Sequence, residues 1–155
     1  MIEKEVLERL KAQALTIAFA ESMTGGGCAY HLILNAGASE VISGSIVTYS
    51  LLEKVSKLKI SEDFFKTHSV VSKATARQMA KAAHVLFKAD IGVGVTGNAG
   101  PSLQAKTSTQ EVFISVYWKE EYFDIRLDLE KMARKTAIEY TIQKTFEQLK
   151  YMLFM

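Results

Sequence analysis

The sequence predicts an α/β fold: a three-layer α/β/α sandwich on a mixed sheet, in a single domain that covers residues 1–155. Helical and strand patterns alternate through roughly the first hundred residues, which favours parallel strands connected by helices. The segment 90–96 is apolar on both faces, as expected of a central parallel strand. The runs 111–118 and 122–127 are rich in aromatic and β-branched residues, and the three residues between them predict an antiparallel hairpin.

Two amphipathic helices and two strands are predicted in the first part of the chain. Apolar residues at helical spacing predict an opening helix, with Val6, Leu7 and Leu10 on its buried side. A strand over 15–20 then runs into a glycine-rich turn, and a second strand is predicted over 43–49. Between these strands lies a second helix whose apolar stripe is formed by Cys28, Ala29, Leu32 and Ile33.

The clearest helix of the sequence begins after Ser72, which is a favourable N-cap residue. Its apolar positions recur at i, i+3, i+4 and i+7, and they predict one buried face formed by Ala76, Met79, Ala80, Ala83, Leu86 and Phe87. A last helix is predicted over roughly 130–151, with its buried side at Ile138, Ile142, Phe146, Leu149 and Leu153.

The composition excludes several classes of protein. A net charge of +2 indicates neither a nucleic-acid partner nor an anionic membrane surface. The single cysteine, Cys28, cannot form an internal disulfide, which fits a reducing compartment. The sequence lacks both a signal-peptide pattern and an apolar run long enough to span a bilayer, so we expect a soluble, cytoplasmic protein. The three histidines have no partner at metal-ligand spacing, so no metal is expected either.

Polar or glycine-rich segments follow three of the predicted strands. They are residues 21–27, 49–54 and 96–101. Ligands of open α/β sheets bind beyond the carboxyl ends of the strands, so three such segments at one sheet edge predict a binding site there. The alternative is that these segments are ordinary surface turns.

The first two segments contain groups that are suited to nucleophilic chemistry. Ser22 and Thr24 lie at the mouth of the predicted pocket, where a hydroxyl can act as a nucleophile or bind a ligand. Lys54, if it is partly buried, can lose its proton and serve as the base for a serine, and Tyr49 can orient a substrate or donate a proton. A solvated surface lysine at position 54 is the alternative. The chain has no phosphate-binding or dinucleotide-binding glycine motif, and two glycines within the third strand are expected to allow close helix packing instead.

Four segments of the chain, in order, resemble the motifs of the CinA C-terminal domain family. They are Ala-Glu-Ser-Met-Thr-Gly-Gly at 20–26, Gly-Ser-Ile-Val-Thr-Tyr-Ser-x-x-Glu-Lys at 44–54, Val-Val-Ser at 70–72 and Thr-Gly-Asn-Ala-Gly-Pro at 96–101. The family's characterised members are nicotinamide mononucleotide deamidases. The resemblance implies a stand-alone α/β/α domain that hydrolyses this nucleotide's carboxamide to the acid and ammonia, without a metal or other cofactor. It also implies a homodimer or a larger homo-oligomer.

The resemblance also assigns roles to individual residues. Ser22 matches the family's nucleophile, Lys54 the lysine that is paired with it, and Tyr49 the tyrosine beside the pair. The substrate-binding positions carried over are Thr24, Gly25, Gly26, Thr96, Gly97 and Arg134.

This sequence also departs from the family pattern. Leu51 stands where an asparagine is usual, and Met23 where a cysteine is common. The family's glycine-rich loop after Gly-Pro is replaced at 102–110 by Ser-Leu-Gln-Ala-Lys-Thr-Ser-Thr-Gln. Two functions therefore follow from the sequence: an active amidohydrolase, or a non-catalytic nucleotide-binding or regulatory relative that has kept the pocket.

Overall fold

The computed structural model describes residues 1–101 and 109–155, and its centre is a five-stranded mixed sheet. The sheet has the order β2-β1-β3-β4-β5. The first three strands are parallel to one another, and the last two form the antiparallel hairpin that the sequence predicts. The strands are β1 (Ile17–Glu21), β2 (Ile42–Val47), β3 (Ile91–Gly97), β4 (Glu111–Trp118) and β5 (Glu121–Asp128).

Helices cover both faces of this sheet, as predicted for an α/β/α sandwich. On one face, three helices pack on the larger core: α1 (Ile2–Ala12), α2 (Gly27–Ile33) and α6 (Arg134–Leu153). On the other face lies a smaller core under three further helices: α3 (Leu51–Leu58), α4 (Phe64–Thr67) and α5 (Lys73–Phe87). No helix in the described ranges is both long and apolar enough to cross a membrane.

The long helix α5 approaches β3 so closely that two strand positions must be glycine. A Cβ atom at Gly92 would overlap the carbonyl oxygen of Ala80, and one at Gly94 would overlap that of Ala76. The interpretation of these glycines as packing residues is therefore confirmed. At the start of α5 the predicted cap is also confirmed, because the Ser72 hydroxyl accepts a hydrogen bond from the Thr75 N–H at 3.1 Å.

Several boundaries and burials differ from the sequence predictions. β1 begins at residue 17 rather than 15, β2 ends at residue 47 rather than 49, and α6 begins at residue 134 rather than near 130. Leu86, placed on the buried face of α5, is 48% exposed because it lies in the last turn of the helix, at the edge of the sheet's smaller core. Ile33, at the end of α2, is similarly exposed.

Helix α3 was not predicted, and it matters most for the site. It begins after Ser50, whose hydroxyl accepts a hydrogen bond from the Glu53 N–H at 3.2 Å. Its buried residues are Lys54 and Leu58, which are four positions apart and therefore lie on the same face of the helix. Leu58 packs in the smaller core with α5, so α3 carries Lys54 toward the interior of the protein.

The altered loop at 102–110 lies mostly outside the described residues, which resume at Thr109. At its far end, the Gln110 side chain donates a hydrogen bond to the Ala99 carbonyl at 3.0 Å, and the Gln110 carbonyl accepts one from the Leu129 N–H at 2.8 Å. These contacts fix the point at which the chain returns to the sheet.

Candidate active site

The carboxyl ends of β1, β2 and β3 meet at one edge of the sheet, because the three strands are parallel and adjacent. The Thr48 N–H donates to the Glu21 carbonyl at 2.9 Å, which joins the ends of β2 and β1. The Ser22 N–H donates to the Val95 carbonyl at 3.2 Å, which joins the ends of β1 and β3. The three polar segments found in the sequence therefore start side by side.

A buried carboxylate holds the glycine-rich turn after β1. Glu21 is fully buried, and its side chain accepts hydrogen bonds from the Thr24 hydroxyl at 2.6 Å and from the N–H groups of Cys28 at 2.9 Å and Ala29 at 3.1 Å. The first N–H groups of a helix have no partner within it, and negative charge is favourable there. Glu21 therefore fixes the turn against α2, and the Thr24 hydroxyl proton is engaged by this carboxylate.

Two glycines give this turn its shape. Gly25 and Gly26 have φ angles of +60° and +96°, a left-handed conformation that side chains disfavour. Nothing lies within 4 Å of a Cβ built at Gly25. The glycine is required there by the backbone conformation rather than by close packing.

Ser22, the first residue after β1, is 2% exposed. Its hydroxyl donates to the Val95 carbonyl at 3.2 Å, a long contact for an O–H donor. The backbone N–H groups of Met23, Thr24 and Gly26 donate to no acceptor in residues 1–101 and 109–155. A nucleophilic hydroxyl and available backbone donors therefore occur within one turn.

Lys54 is buried, which decides between the two interpretations that the sequence left open. Its side chain is 2% exposed, and Nζ donates one hydrogen bond, to the Thr48 carbonyl at 2.7 Å. Burial lowers the pKa of this amine from 10.5 to about 8, because the charged form loses hydration. A substantial fraction of Lys54 is thus neutral near pH 8, as a general base requires.

Ser22 and Lys54 are connected by a short path of hydrogen bonds. Lys54 binds the Thr48 carbonyl, and the Thr48 N–H binds the carbonyl of Glu21, the residue that precedes Ser22. In this structure the Ser22 and Lys54 side chains do not bind each other: each donates a hydrogen bond to a backbone carbonyl. That the two side chains act as a pair remains a prediction.

Arg134, the first residue of α6, connects the segments that follow β2 and β3. Its guanidinium donates to the Gly100 carbonyl at 2.7 Å and to the Tyr49 hydroxyl at 2.8 Å. Tyr49 is 55% exposed and Arg134 is also exposed, so this bridge lies at the outer side of the site. A cation held at a loop edge by two neutral acceptors is available to an anionic ligand.

The two remaining substrate-binding positions, Thr96 and Gly97, are engaged in the fold. The Thr96 hydroxyl donates to the Val70 carbonyl at 2.6 Å, and the side chain is 1% exposed. A Cβ at Gly97 would lie 2.6 Å from the Cβ of Val112 on the neighbouring strand. Both residues shape the wall of the site, and their contact with a ligand remains a prediction.

Sequence reasoning missed Glu21, Thr48 and Asn98 as site residues. All three are 2% exposed or less, and all three end a strand or follow one directly. The Asn98 side chain donates to the Thr109 carbonyl at 3.3 Å. Glu21 and Asn98 belong to the polar segments that follow the predicted strands, and Thr48 to a motif of the family, but the sequence assigned no role to any of the three.

Among the described residues, no group of three or more His, Cys, Asp or Glu side chains is placed to hold a metal ion. Cys28 is fully buried, and its burial raises the pKa of the thiol well above the usual value. A thiol in that state is a poor nucleophile. Ser22 is therefore the better candidate.

Comparisons with known proteins agree on one family. The family model for the CinA C-terminal domain matches residues 1–153. A putative competence-damage inducible protein of Streptococcus equi subsp. equi is 39% identical over 126 residues, which are 81% of this chain and 30% of that protein. One of the same description from Bacillus mycoides is 34% identical over 149 residues, 94% of this chain and 36% of that protein. The chain thus spans about a third of the length of these curated relatives.

Solved structures show the same fold. The competence/damage inducible protein CihA of Agrobacterium tumefaciens superposes with a TM-score of 0.92 at 27% identity, covering 99% of this chain and 94% of that one. A CinA superfamily protein of Klebsiella pneumoniae superposes with a TM-score of 0.93 at 23% identity, covering 98% and 95%. The five-stranded mixed sheet with helices on both faces is therefore an architecture that this chain shares with these proteins.

Proposed function

The chain belongs to the CinA C-terminal domain family, and we propose that it is an amidohydrolase that converts nicotinamide mononucleotide to nicotinic acid mononucleotide and ammonia. The observation that carries the proposal is Lys54, a lysine that is 2% exposed, has a pKa lowered to about 8 and binds the carbonyl of Thr48, at the end of the strand beside the one that Ser22 follows. Burying an amine without a compensating charge destabilises the fold. A base for a serine nucleophile is a role that requires such a buried amine.

In the first half of the proposed reaction, neutral Lys54 accepts the proton of the Ser22 hydroxyl as the oxygen attacks the carboxamide carbon. The negative charge that develops on the carbonyl oxygen is stabilised by the backbone N–H groups of the turn after β1. Lys54 then returns the proton to the carboxamide nitrogen, the C–N bond breaks and ammonia leaves. An ester between Ser22 and the nicotinoyl group remains.

In the second half, a water molecule attacks this ester. Lys54 accepts the water's proton and returns it to the Ser22 oxygen when the acyl C–O bond breaks, which releases the acid and regenerates both residues. Arg134 is proposed to bind the nucleotide's phosphate, since its guanidinium lies at the exposed side of the site on two neutral acceptors.

The direct test is to incubate the purified protein with nicotinamide mononucleotide and to assay ammonia and the acid product. The matched control is Lys57→Ala, which removes an exposed lysine from the same helix and should retain full activity. Binding of the nucleotide by calorimetry without turnover would favour the regulatory relative instead. Neither binding nor turnover would show that the nucleotide is not the ligand.

The rate should depend on pH through Lys54. Because the amine must be neutral to accept a proton, kcat/KM should rise with pH and level off above an apparent pKa near 8. The measurement is kcat/KM from about pH 6 to 10. A profile that is flat across this range, in a protein that is active, would exclude Lys54 as the base.

Arg134→Met should raise KM for nicotinamide mononucleotide roughly 10- to 100-fold, because a charge-assisted hydrogen bond contributes about 1.5–3 kcal/mol. Its effect on kcat should be small, since the phosphate is remote from the reacting carboxamide. Lys135→Met, which removes the adjacent exposed cation, is the control. A loss confined to kcat would instead place Arg134 at the reacting group.

A further inference from the structure

Thr48 contains an unsatisfied polar atom next to the proposed catalytic lysine. The residue is fully buried, and its hydroxyl is the one buried side-chain oxygen or nitrogen in the described ranges that has no hydrogen-bond partner. Buried polar groups are almost always paired, because leaving one without a partner is costly. An isolated buried hydroxyl beside a candidate active site therefore requires an explanation.

Lys54 has the complementary deficiency. An ammonium carries three N–H donors and a neutral amine two, whereas within residues 1–101 and 109–155 Nζ makes one hydrogen bond, to the Thr48 carbonyl at 2.7 Å. The lysine thus has an N–H group without an acceptor among these residues, and Thr48 has a hydroxyl without a partner. The two residues are already in contact through the Thr48 carbonyl. Thr48 also reaches Ser22 through its backbone, because its N–H binds the Glu21 carbonyl.

We propose that Thr48 is a positioning residue for Lys54: its hydroxyl accepts a second N–H of the amine and, with its carbonyl, leaves the nitrogen lone pair to Ser22. A neutral amine has two N–H bonds and one lone pair. When both N–H bonds are held by one residue, the lone pair has one remaining direction.

This proposal rests on the proposed serine–lysine chemistry, but it also makes a claim about the lysine alone. A hydroxyl that accepts from the ammonium stabilises the charged form. Removing it should therefore lower the pKa of Lys54 relative to the wild-type protein, whether or not the protein turns over nicotinamide mononucleotide.

The test compares Thr48→Val, which keeps the side-chain shape, with Thr48→Ser, which keeps the hydroxyl. Thr48→Val should lower kcat by tenfold or more with little change in KM, and Thr48→Ser should retain most of kcat. The pKa of Lys54 is followed in parallel by NMR of protein labelled with ¹³C-lysine, in which the Lys54 signal is identified by its absence from Lys54→Met. The pKa of Lys54 should fall in Thr48→Val and stay at its wild-type value in Thr48→Ser.

Thr141→Val is the matched control, because Thr141 is also fully buried but its hydroxyl already donates to the Ala137 carbonyl at 2.8 Å. It should change neither kcat nor the pKa of Lys54. An unchanged Lys54 pKa in Thr48→Val would overturn the positioning role, whatever the activity. A lowered pKa in a protein without deamidase activity would instead leave Thr48 in place and overturn the proposed function.

Discussion

Ser22→Ala and Lys54→Met should each lower kcat/KM for nicotinamide mononucleotide by about 10³-fold or more. In the proposed mechanism Ser22 supplies the attacking oxygen and Lys54 moves its proton, so neither residue works without the other. Residues that act as a unit are not additive, and the double variant should be little worse than either single one. Steady-state release of ammonia measures all three.

Both substitutions should leave the fold intact, because Ser22→Ala removes one long hydrogen bond and methionine keeps the length of the Lys54 side chain. Circular dichroism should show native spectra for all variants, and Lys57→Ala should remain active. Near-normal turnover in Ser22→Ala would refute the serine mechanism. Attention would then move to Thr24 or to a directly activated water.

Lys54→Met should also make the protein more stable near neutral pH. Lowering the pKa of a buried lysine from 10.5 to about 8 corresponds to roughly 3 kcal/mol of unfavourable free energy in the charged folded state. Methionine removes that cost but leaves the Thr48 carbonyl without its donor, which costs about 1–2 kcal/mol. We therefore expect a net gain of about 1–2 kcal/mol in the free energy of unfolding at pH 7, measured by urea denaturation.

The pH dependence of that gain identifies its cause. Between about pH 8 and 10.5 the unfolded chain still binds a proton at Lys54 that the folded protein has released, so the stability of the wild-type protein rises with pH in this window. The variant lacks this contribution, so the difference between the two proteins should shrink across the window and reverse or vanish above it. Lys57→Met, at an exposed position, should give a small difference that does not change with pH. A destabilised Lys54→Met at pH 7 would show that the lysine is not desolvated as described.

The sheet could be predicted from the sequence because its pattern is local. The segment that forms β3 is apolar on both faces, and the hairpin runs are separated by a short turn, so each pattern has one simple interpretation. The meeting of the three strand ends then follows from parallel pairing, whereas the order β2-β1-β3 does not and was not predicted. Boundaries were less accurate because capping and fraying depend on single hydrogen bonds.

The burial of Lys54 could not be predicted because it depends on a helix that the pattern concealed. α3 is eight residues long and contains two lysines, so its apolar stripe is too short to stand out. The Ser50-x-x-Glu53 pattern is a helix-start signal, and with it Lys54 and Leu58 fall on one face. Even so, only the packing of Leu58 against α5 shows which way that face points.

The bridge from Arg134 to Tyr49 and Gly100 was also beyond sequence reasoning. It joins Arg134 to residues that lie 85 and 34 positions earlier in the chain, and no local pattern indicates such a contact. The resemblance to a family supplied Arg134, whereas the structure supplied its partners.

The position of β3 affects how the protein is made on the ribosome. Ile17 pairs with Ile91, so one side of β1 has no partner until the chain has been extended by some seventy residues. At about 5–20 residues per second, this leaves the edge of a strand with four apolar residues out of five open for roughly 4–15 s. Such an edge is a template for association with other nascent chains, which makes this interval a point at which a chaperone would be needed. The candidate active site is complete only after β3 has inserted. An N-terminal fragment that stops before residue 91 would contain Ser22 and Lys54 but would lack Val95, which binds Ser22 in the folded protein.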